Sequence, residues 1–228
     1  MLDNNNHNIC LVGAGGKTTI MYELAQAFAA HGRKALVLTS THILQPEHFF
    51  AQDEASAQRL WQQKHYAVIG TVEEKTGKLT APDQALYAKL KMQADIVLCE
   101  ADGAKHLPCK LPAEHEPVIL AECDTVIAVC GMDALGKPLA EVCFRAELAA
   151  KFLNITPETL VTEKHLAKLL TSVQGARKNV GARDYYIVLN KCDTIKQAQA
   201  EAVRAELIRC GMAAEKLCLR GKGASDGR

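Results

Sequence analysis

Between an apolar run, Ile9 to Val12, and the start of a helical pattern lies the segment Gly13-Ala14-Gly15-Gly16-Lys17-Thr18-Thr19. Strand, glycine loop and helix in that order form a phosphate-binding loop. The glycines let backbone N–H groups close round phosphate oxygens, and the helix adds the positive end of its dipole. In such a loop Lys17 supplies a mobile ammonium to the outer phosphates, and the Thr18 hydroxyl a ligand for Mg²⁺. The common spacing G-x-x-x-x-G-K-[ST] would need glycine at position 11, where this chain has Leu11; what stands here is the shorter G-x-x-G-K-T-T. The simpler alternative is a glycine-rich turn with an incidental Lys-Thr pair. A strand before, a helix after and two consecutive threonines favour the phosphate site. Gly13, Ala14, Gly15, Gly16, Lys17, Thr18 and Thr19 are therefore candidate nucleotide contacts, with Lys17 also a candidate catalytic group.

A chain of 228 residues can bury the core of one α/β domain, and we expect a single domain over 1–228 with an insertion near 42–94. The formal net charge of +1 provides no field to hold nucleic acid or an anionic membrane. No apolar stretch approaches the roughly 18 residues that span a bilayer, and Met1 to Asn8 lacks the apolar core of a signal peptide. The expected location is the cytosol. Nine cysteines are an odd number, and Cys99, Cys130 and Cys210 fall inside strand or helix patterns, so reduced and mostly buried thiols are expected.

Apolar runs alternate with helical patterns, which predicts an α/β fold with a mostly parallel sheet and helices on both faces. Strands are expected at Asn8–Val12, Lys34–Leu38, Asp95–Cys99, Thr125–Cys130 and Tyr185–Leu189, with Lys216–Leu219 at an edge. They read as nearly continuous apolar runs, as strands covered on both faces do. After the loop, Ile20, Leu24, Ala27 and Phe28 share one helical face, and His31-Gly32 ends that helix. Thr156-Pro157-Glu158 reads as an N-cap, a first-turn proline and an acid facing the dipole, followed by a stripe of Leu166, Leu169, Leu170 and Val173. Val203, Leu207 and Cys210 repeat the pattern near the C-terminus.

Two stretches break the alternation. Residues 42–94 hold a helical pattern round Leu60-Trp61, a hairpin at Ala67–Val72 with its turn at Thr76-Gly77-Lys78, and a helix opened by Pro82-Asp83. This is an inserted helix and hairpin segment after the second parallel strand. Residues 100–122 carry Pro108, Pro112 and Pro117 and are too long for an idle connection. They start at the carboxyl end of a central strand, where open α/β sheets place ligands.

That strand ends in Glu100-Ala101-Asp102-Gly103. A carboxylate there is what a phosphate loop needs opposite Thr18, to hold the metal or its water shell, so Glu100 and Asp102 are both candidate metal and catalytic groups. The alternative is a surface turn of small polar residues. Asn190-Lys191-Cys192-Asp193 follows the fifth expected strand and is similar to the N-K-x-D guanine motif of GTPases. The Asp193 carboxylate can accept from the ring N–H and the exocyclic amine of guanine, donors that adenine does not offer in that geometry. Asn190 would brace the loop and the methylenes of Lys191 lie over the base. Asn and Asp are also common turn residues, so GTP and ATP both stay open. Thr39-Ser40-Thr41-His42 ends the second strand, where hydroxyls either meet phosphate or cap the strand. His106, Cys109 and His115, with Cys99 or Cys123, match no zinc spacing, and structural roles are favoured for them.

The short loop resembles the nucleotide loop of Mur ligases and folylpolyglutamate synthases. A wider resemblance joins the motifs. Val12 to Thr19, Thr39 to His42, Glu100-Ala101-Asp102-Gly103-Ala104-Lys105 with Leu107-Pro108 and Lys110, and Glu116-Pro117 occur in that order. Gly131-Met132-Asp133, Gly136-Lys137-Pro138 and Asn190 to Asp193 follow. Together they resemble the YqeC family, described as selenium-dependent molybdenum hydroxylase accessory proteins. The resemblance covers almost the whole chain and implies a cytosolic maturation factor whose partner is a molybdenum hydroxylase or one of its maturation proteins. It supplies no reaction and no catalytic residue. Combined with the loop, it leads to the expectation of a P-loop NTPase-like accessory protein that binds and hydrolyses GTP or ATP with Mg²⁺. An ATP-dependent ligase or kinase is one alternative; a non-enzymatic nucleotide-binding chaperone, or a selenium carrier using a thiol such as Cys109, is another.

Overall fold

The computed structural model describes residues 7–221. In chain order the elements begin with β1 (His7–Gly13), α1 (Lys17–Ala30), β2 (Ala35–Thr39), β3 (Ile43–Leu44), α2 (Glu54–Gln62), β4 (Ala67–Val68), β5 (Thr71–Glu73), β6 (Lys78–Thr80), α3 (Gln84–Lys91) and β7 (Ile96–Glu100). They continue with β8 (Cys109–Lys110), β9 (Thr125–Gly131), α4 (Leu139–Val142), β10 (Cys143–Phe144), α5 (Ala146–Leu153), α6 (Glu163–Thr171), β11 (Asp184–Asn190), α7 (Gln197–Arg209) and β12 (Leu217–Leu219). In one part of the chain β1, β7, β2 and β4 lie side by side in that order, and in another β12, β11 and β9 do. The pairs β1 with β7, β7 with β2, β2 with β4 and β11 with β12 run parallel. The fold is α/β with a parallel sheet and is P-loop NTPase-like.

By its internal contacts the chain divides into two compact units, Met1–Leu11 with Thr18–Gly103 and Val118–Thr125, and Val12–Lys17 with Ala104–Pro117 and Val126–Arg228. In the first unit the register sets Leu11 and Thr39 level with Glu100, so β2 and β7 end together beside Leu11 of β1. β2 and β7 are buried at every position, as apolar strands without a solvent face must be. Each fully buried Leu or Ile here stabilises the sheet by about 1.5–3 kcal/mol. Helix α1 turns Ile20, Met21, Ala25 and Ala29 into the core, while Ala27 is exposed. The buried ridge thus lies one position round from the expected face, with Leu24 and Phe28 half-buried at its border.

Helix α2 forms where the Leu60-Trp61 pattern predicts it, capped by Asp53, which accepts from Ser56 N–H at 2.7 Å. The Trp61 indole N–H donates to the Ala35 carbonyl at 3.0 Å, satisfying a buried donor. Asp83 caps α3 by accepting from Leu86 N–H. The hairpin differs from expectation. Ala67–Val68 pairs with β2 in the main sheet, and the hairpin consists of β5 and β6, with β3 antiparallel to β6. Buried Ala67 and Val68 suit a covered strand, whereas exposed Thr71 and Val72 suit a small surface sheet.

The second unit holds β8 to β12 apart from the first residue of β9, together with helices α4 to α7. Leu166, Leu169 and Leu170 are buried on α6 as expected, but its N-cap is Thr162 and not Thr156. Thr162 accepts from His165 N–H, and the His165 ring accepts from Thr162 N–H. The 156–161 stretch is held otherwise: Ala140 N–H donates to Pro157 O, Leu139 N–H to Thr159 O and Val161 N–H to Lys137 O. Those backbone bonds outcompete a helix at Thr156. The helix stops at Thr171, leaving Val173 74% exposed instead of completing the stripe. Val203 and Leu207 are buried on α7, while Cys210, just past its end, is exposed. All nine cysteines are free thiols, six of them buried. Among the described residues no helix is long and apolar enough to cross a membrane.

Candidate functional site

In the second unit the glycine loop leaves β1 and turns under constraint. The Ala14 N–H donates to Val129 O at 2.8 Å and the Gly15 N–H to Leu107 O at 3.1 Å. Gly15 has φ +80 and Gly16 φ +125, and a Cβ on Gly15 would overlap the Gly131 backbone. Only glycine fits there. Lys17 opens α1 with its side chain buried, and its Nζ donates to the Gly13 carbonyl at 2.7 Å. The ammonium thus folds back over the loop it belongs to. Thr19 is exposed on the first turn of the helix.

Asn190, the last residue of β11, joins this loop. Its Nδ2 donates to Gly15 O at 2.8 Å and its Oδ1 accepts from Arg220 at 2.8 Å. Lys191, at φ +60, donates to Asp133 Oδ2 at 2.8 Å. Asp193 is exposed in the short 3-10 turn Cys192–Thr194, and a Cβ on Gly221 would stand 3.3 Å from its own Cβ. The structure therefore gathers Asn190 and Lys191 with the loop and with Gly131-Met132-Asp133, and leaves Asp193 at the outer rim. Arg220 and Asp133 are partners that motif reading missed. Asp133 lay within a quoted motif without a role, and Arg220 had no motif to reveal it.

In the first unit Thr18 follows Lys17 directly. Its hydroxyl donates to Glu100 Oε2 at 2.6 Å, pairing residues 82 positions apart. Glu100 is buried at the end of β7, and Asp102, two residues on, is 2% exposed. The second-strand hydroxyls serve the backbone: Thr39 Oγ1 donates to Glu100 O at 3.0 Å and Ser40 Oγ to Val118 O at 2.8 Å. They fasten the strand ends that carry Glu100. Tyr22, one turn along α1 from Thr18, buries its hydroxyl without a hydrogen-bond partner among the described residues, and burial pushes that phenol up from its ordinary value.

The proline-rich stretch is organised by charge. Glu116 accepts from Lys110 at 2.7 Å and from the two terminal Arg145 nitrogens at 2.7 and 2.9 Å, and the Arg145 guanidinium lies 4.3 Å from the Phe144 ring centre. Burial raises the Glu116 carboxyl, but Arg145 and Lys110 outweigh it and hold it down to about 2. This cluster anchors the segment whose Leu107 and Pro108 carbonyls accept from Gly15 and Gly131. Cys109 sits in register with Cys143 across β8 and β10, and His106 is exposed in a left-handed turn. Burial pushes the Cys130 thiol up to about 12. Among the described residues no group of three or more His, Cys, Asp or Glu side chains is disposed to hold a metal ion.

A parallel sheet that feeds a glycine loop into a helix, with a carboxylate at the next strand end hydrogen-bonded to the residue after the loop lysine, defines an α/β protein of P-loop NTPase-like fold. The family model described as YqeC protein matches residues 9–147. The chain is 30% identical over 220 residues to Uncharacterized protein YqeC of Escherichia coli (strain K12), covering 88% of this chain and 81% of that protein. The chain belongs to the YqeC family. The family match takes in the loop, Glu100, Asp102 and Glu116, and ends before Asn190 to Asp193.

Proposed function

We propose that this chain binds a nucleoside triphosphate at the Gly13 to Thr19 loop and hydrolyses it with Mg²⁺, serving as an accessory factor to a molybdenum hydroxylase or its maturation proteins. The observation that carries the reading is the 2.6 Å bond from the Thr18 hydroxyl to Glu100. Two hard oxygens brought together from positions 18 and 100 are the donor chemistry that Mg²⁺ takes. When bound, that ion offsets charge on the phosphate oxygens. Loop amides cradle the phosphates, and Lys17 exchanges the Gly13 carbonyl for a phosphate oxygen, an exchange of one charge-assisted bond for a stronger one. Glu100 or Asp102 orients the attacking water, and positioning with fixed charge supplies the catalysis. Guanine is the favoured base because a carboxylate at Asp193 can accept from both of its donors. The client assignment rests on family membership alone.

The test is a phosphate-release assay with GTP and with ATP, in Mg²⁺ and in chelator. Metal-dependent release that Lys17→Ala abolishes supports the reading. Absence of release from both nucleotides, with and without a molybdenum hydroxylase present, counts against hydrolysis.

A further inference from the structure

Asn190 touches the loop through one end of its amide only, and something must decide which end. Its Nδ2 faces the Gly15 carbonyl at 2.8 Å, and its Oδ1 faces the Arg220 guanidinium at 2.8 Å. Arg220 is itself stitched in place. Its N–H donates to Leu189 O and its carbonyl accepts from Cys192 N–H, each at 2.8 Å, one on either side of Asn190-Lys191. A guanidinium has no acceptor, so it takes the amide oxygen and leaves the amide NH₂ to point at Gly15. A reversed amide would set oxygen against oxygen at Gly15 and N–H against N–H at Arg220.

The consequence reaches the loop through the geometry of one peptide. In a planar trans peptide the C=O and the following N–H point in opposite directions. Holding the Gly15 carbonyl on Asn190 therefore turns the Gly16 N–H to the opposite side of the loop, and Gly16, at φ +125, packs directly on the Asn190 amide. An N–H fixed before a phosphate arrives costs nothing to order when it does. We infer that Arg220 is a positioning residue for phosphate binding: through Asn190 it fixes the Gly15–Gly16 peptide in the orientation that receives a phosphate oxygen. The inference rests on the nucleotide reading of the loop and adds to it a residue about 200 positions away in sequence that no motif marks. The strut reads phosphate and not the base, so its ligand class is any condensed phosphate.

Inorganic tripolyphosphate, which has no base, isolates this effect. Titrating it calorimetrically into the wild-type chain, Arg220→Ala, Asn190→Ala and the double variant should show each single change weakening binding about tenfold, and the double change no more than Asn190→Ala alone. Arg220→Lys, which keeps one donor, should recover part of the affinity. Asn190→Asp retains an acceptor for the guanidinium but sets an oxygen in place of the donor to Gly15, so it should weaken binding at least as much as Asn190→Ala. A structural role alone would lower melting temperatures without moving affinity. Wild-type affinity in folded Arg220→Ala, or losses from Arg220→Ala and Asn190→Ala that simply add, would overturn the inference while leaving nucleotide binding intact. Failure of the wild-type chain to bind either tripolyphosphate or nucleotide would instead remove the nucleotide reading on which it stands.

Discussion

Replacing Glu116 by glutamine should destabilise the protein strongly at neutral pH and weakly in acid. Glu116 has a side chain 9% exposed and holds Lys110, whose side chain is 1% exposed, together with Arg145. A carboxyl lowered from 4.5 to about 2 corresponds to about 3 kcal/mol of folding free energy at neutral pH. Because the folded value is the lower one, this stability is present above about pH 4.5 and drains away as pH falls toward 2. The glutamine keeps shape but leaves a buried ammonium facing a neutral amide, a loss in the range of about 3–5 kcal/mol for a broken buried pair. Urea denaturation of both proteins across this pH range reads the difference directly. A gap of about 3 kcal/mol at neutral pH that closes by more than half near pH 3 is expected. A gap below about 1 kcal/mol, or one that does not change with pH, would show that the three charges neither pair nor organise the 104–117 segment as their distances imply.

Lys17→Ala should weaken nucleoside triphosphate binding at least about ten- to hundredfold in a chain that melts near the wild-type temperature, since a charge-assisted phosphate contact is worth roughly 1.5–3 kcal/mol; equilibrium binding with a fluorescent nucleotide checks it, and unchanged affinity would remove the loop assignment. Wild type should prefer GTP over ATP by at least about tenfold, and Asp193→Asn should move preference toward xanthosine triphosphate, whose ring carries an oxygen where guanine has its amine. Competition among the three nucleotides measures both, and equal wild-type binding of GTP and ATP would leave Asp193 a turn residue.

The strands and the loop were legible because both follow from local rules. Buried parallel strands write themselves as apolar runs, and the loop needs glycine where φ is positive, as at Gly15 and Gly16. Glu100 was legible from its place at a strand end, although its bond to Thr18 exists only through the register of β1 and β7. What escaped depended on contacts distant in sequence. Thr156-Pro157-Glu158 carries every local mark of a helix start, yet backbone bonds to residues 137–140 claim the segment and Thr162 becomes the cap. Ala67–Val68 belongs to the main sheet and not to the hairpin for a similar reason, since a two-residue strand takes its identity from its partner β2. Arg220 left no trace in any local pattern, because its role is written in the amide orientation of Asn190.

The measurement closest to the central claim is a calorimetric titration of GTP and ATP, each with and without Mg²⁺, into the wild-type chain and into Glu100→Gln. If Thr18 and Glu100 hold the ion that accompanies a nucleotide, wild type should bind at least one nucleotide about tenfold tighter with Mg²⁺ than without it. Glu100→Gln should still bind in the absence of metal but lose that gain, since the amide keeps the shape and not the charge. The same Mg²⁺ response in both proteins, or no nucleotide binding to either, would contradict the account.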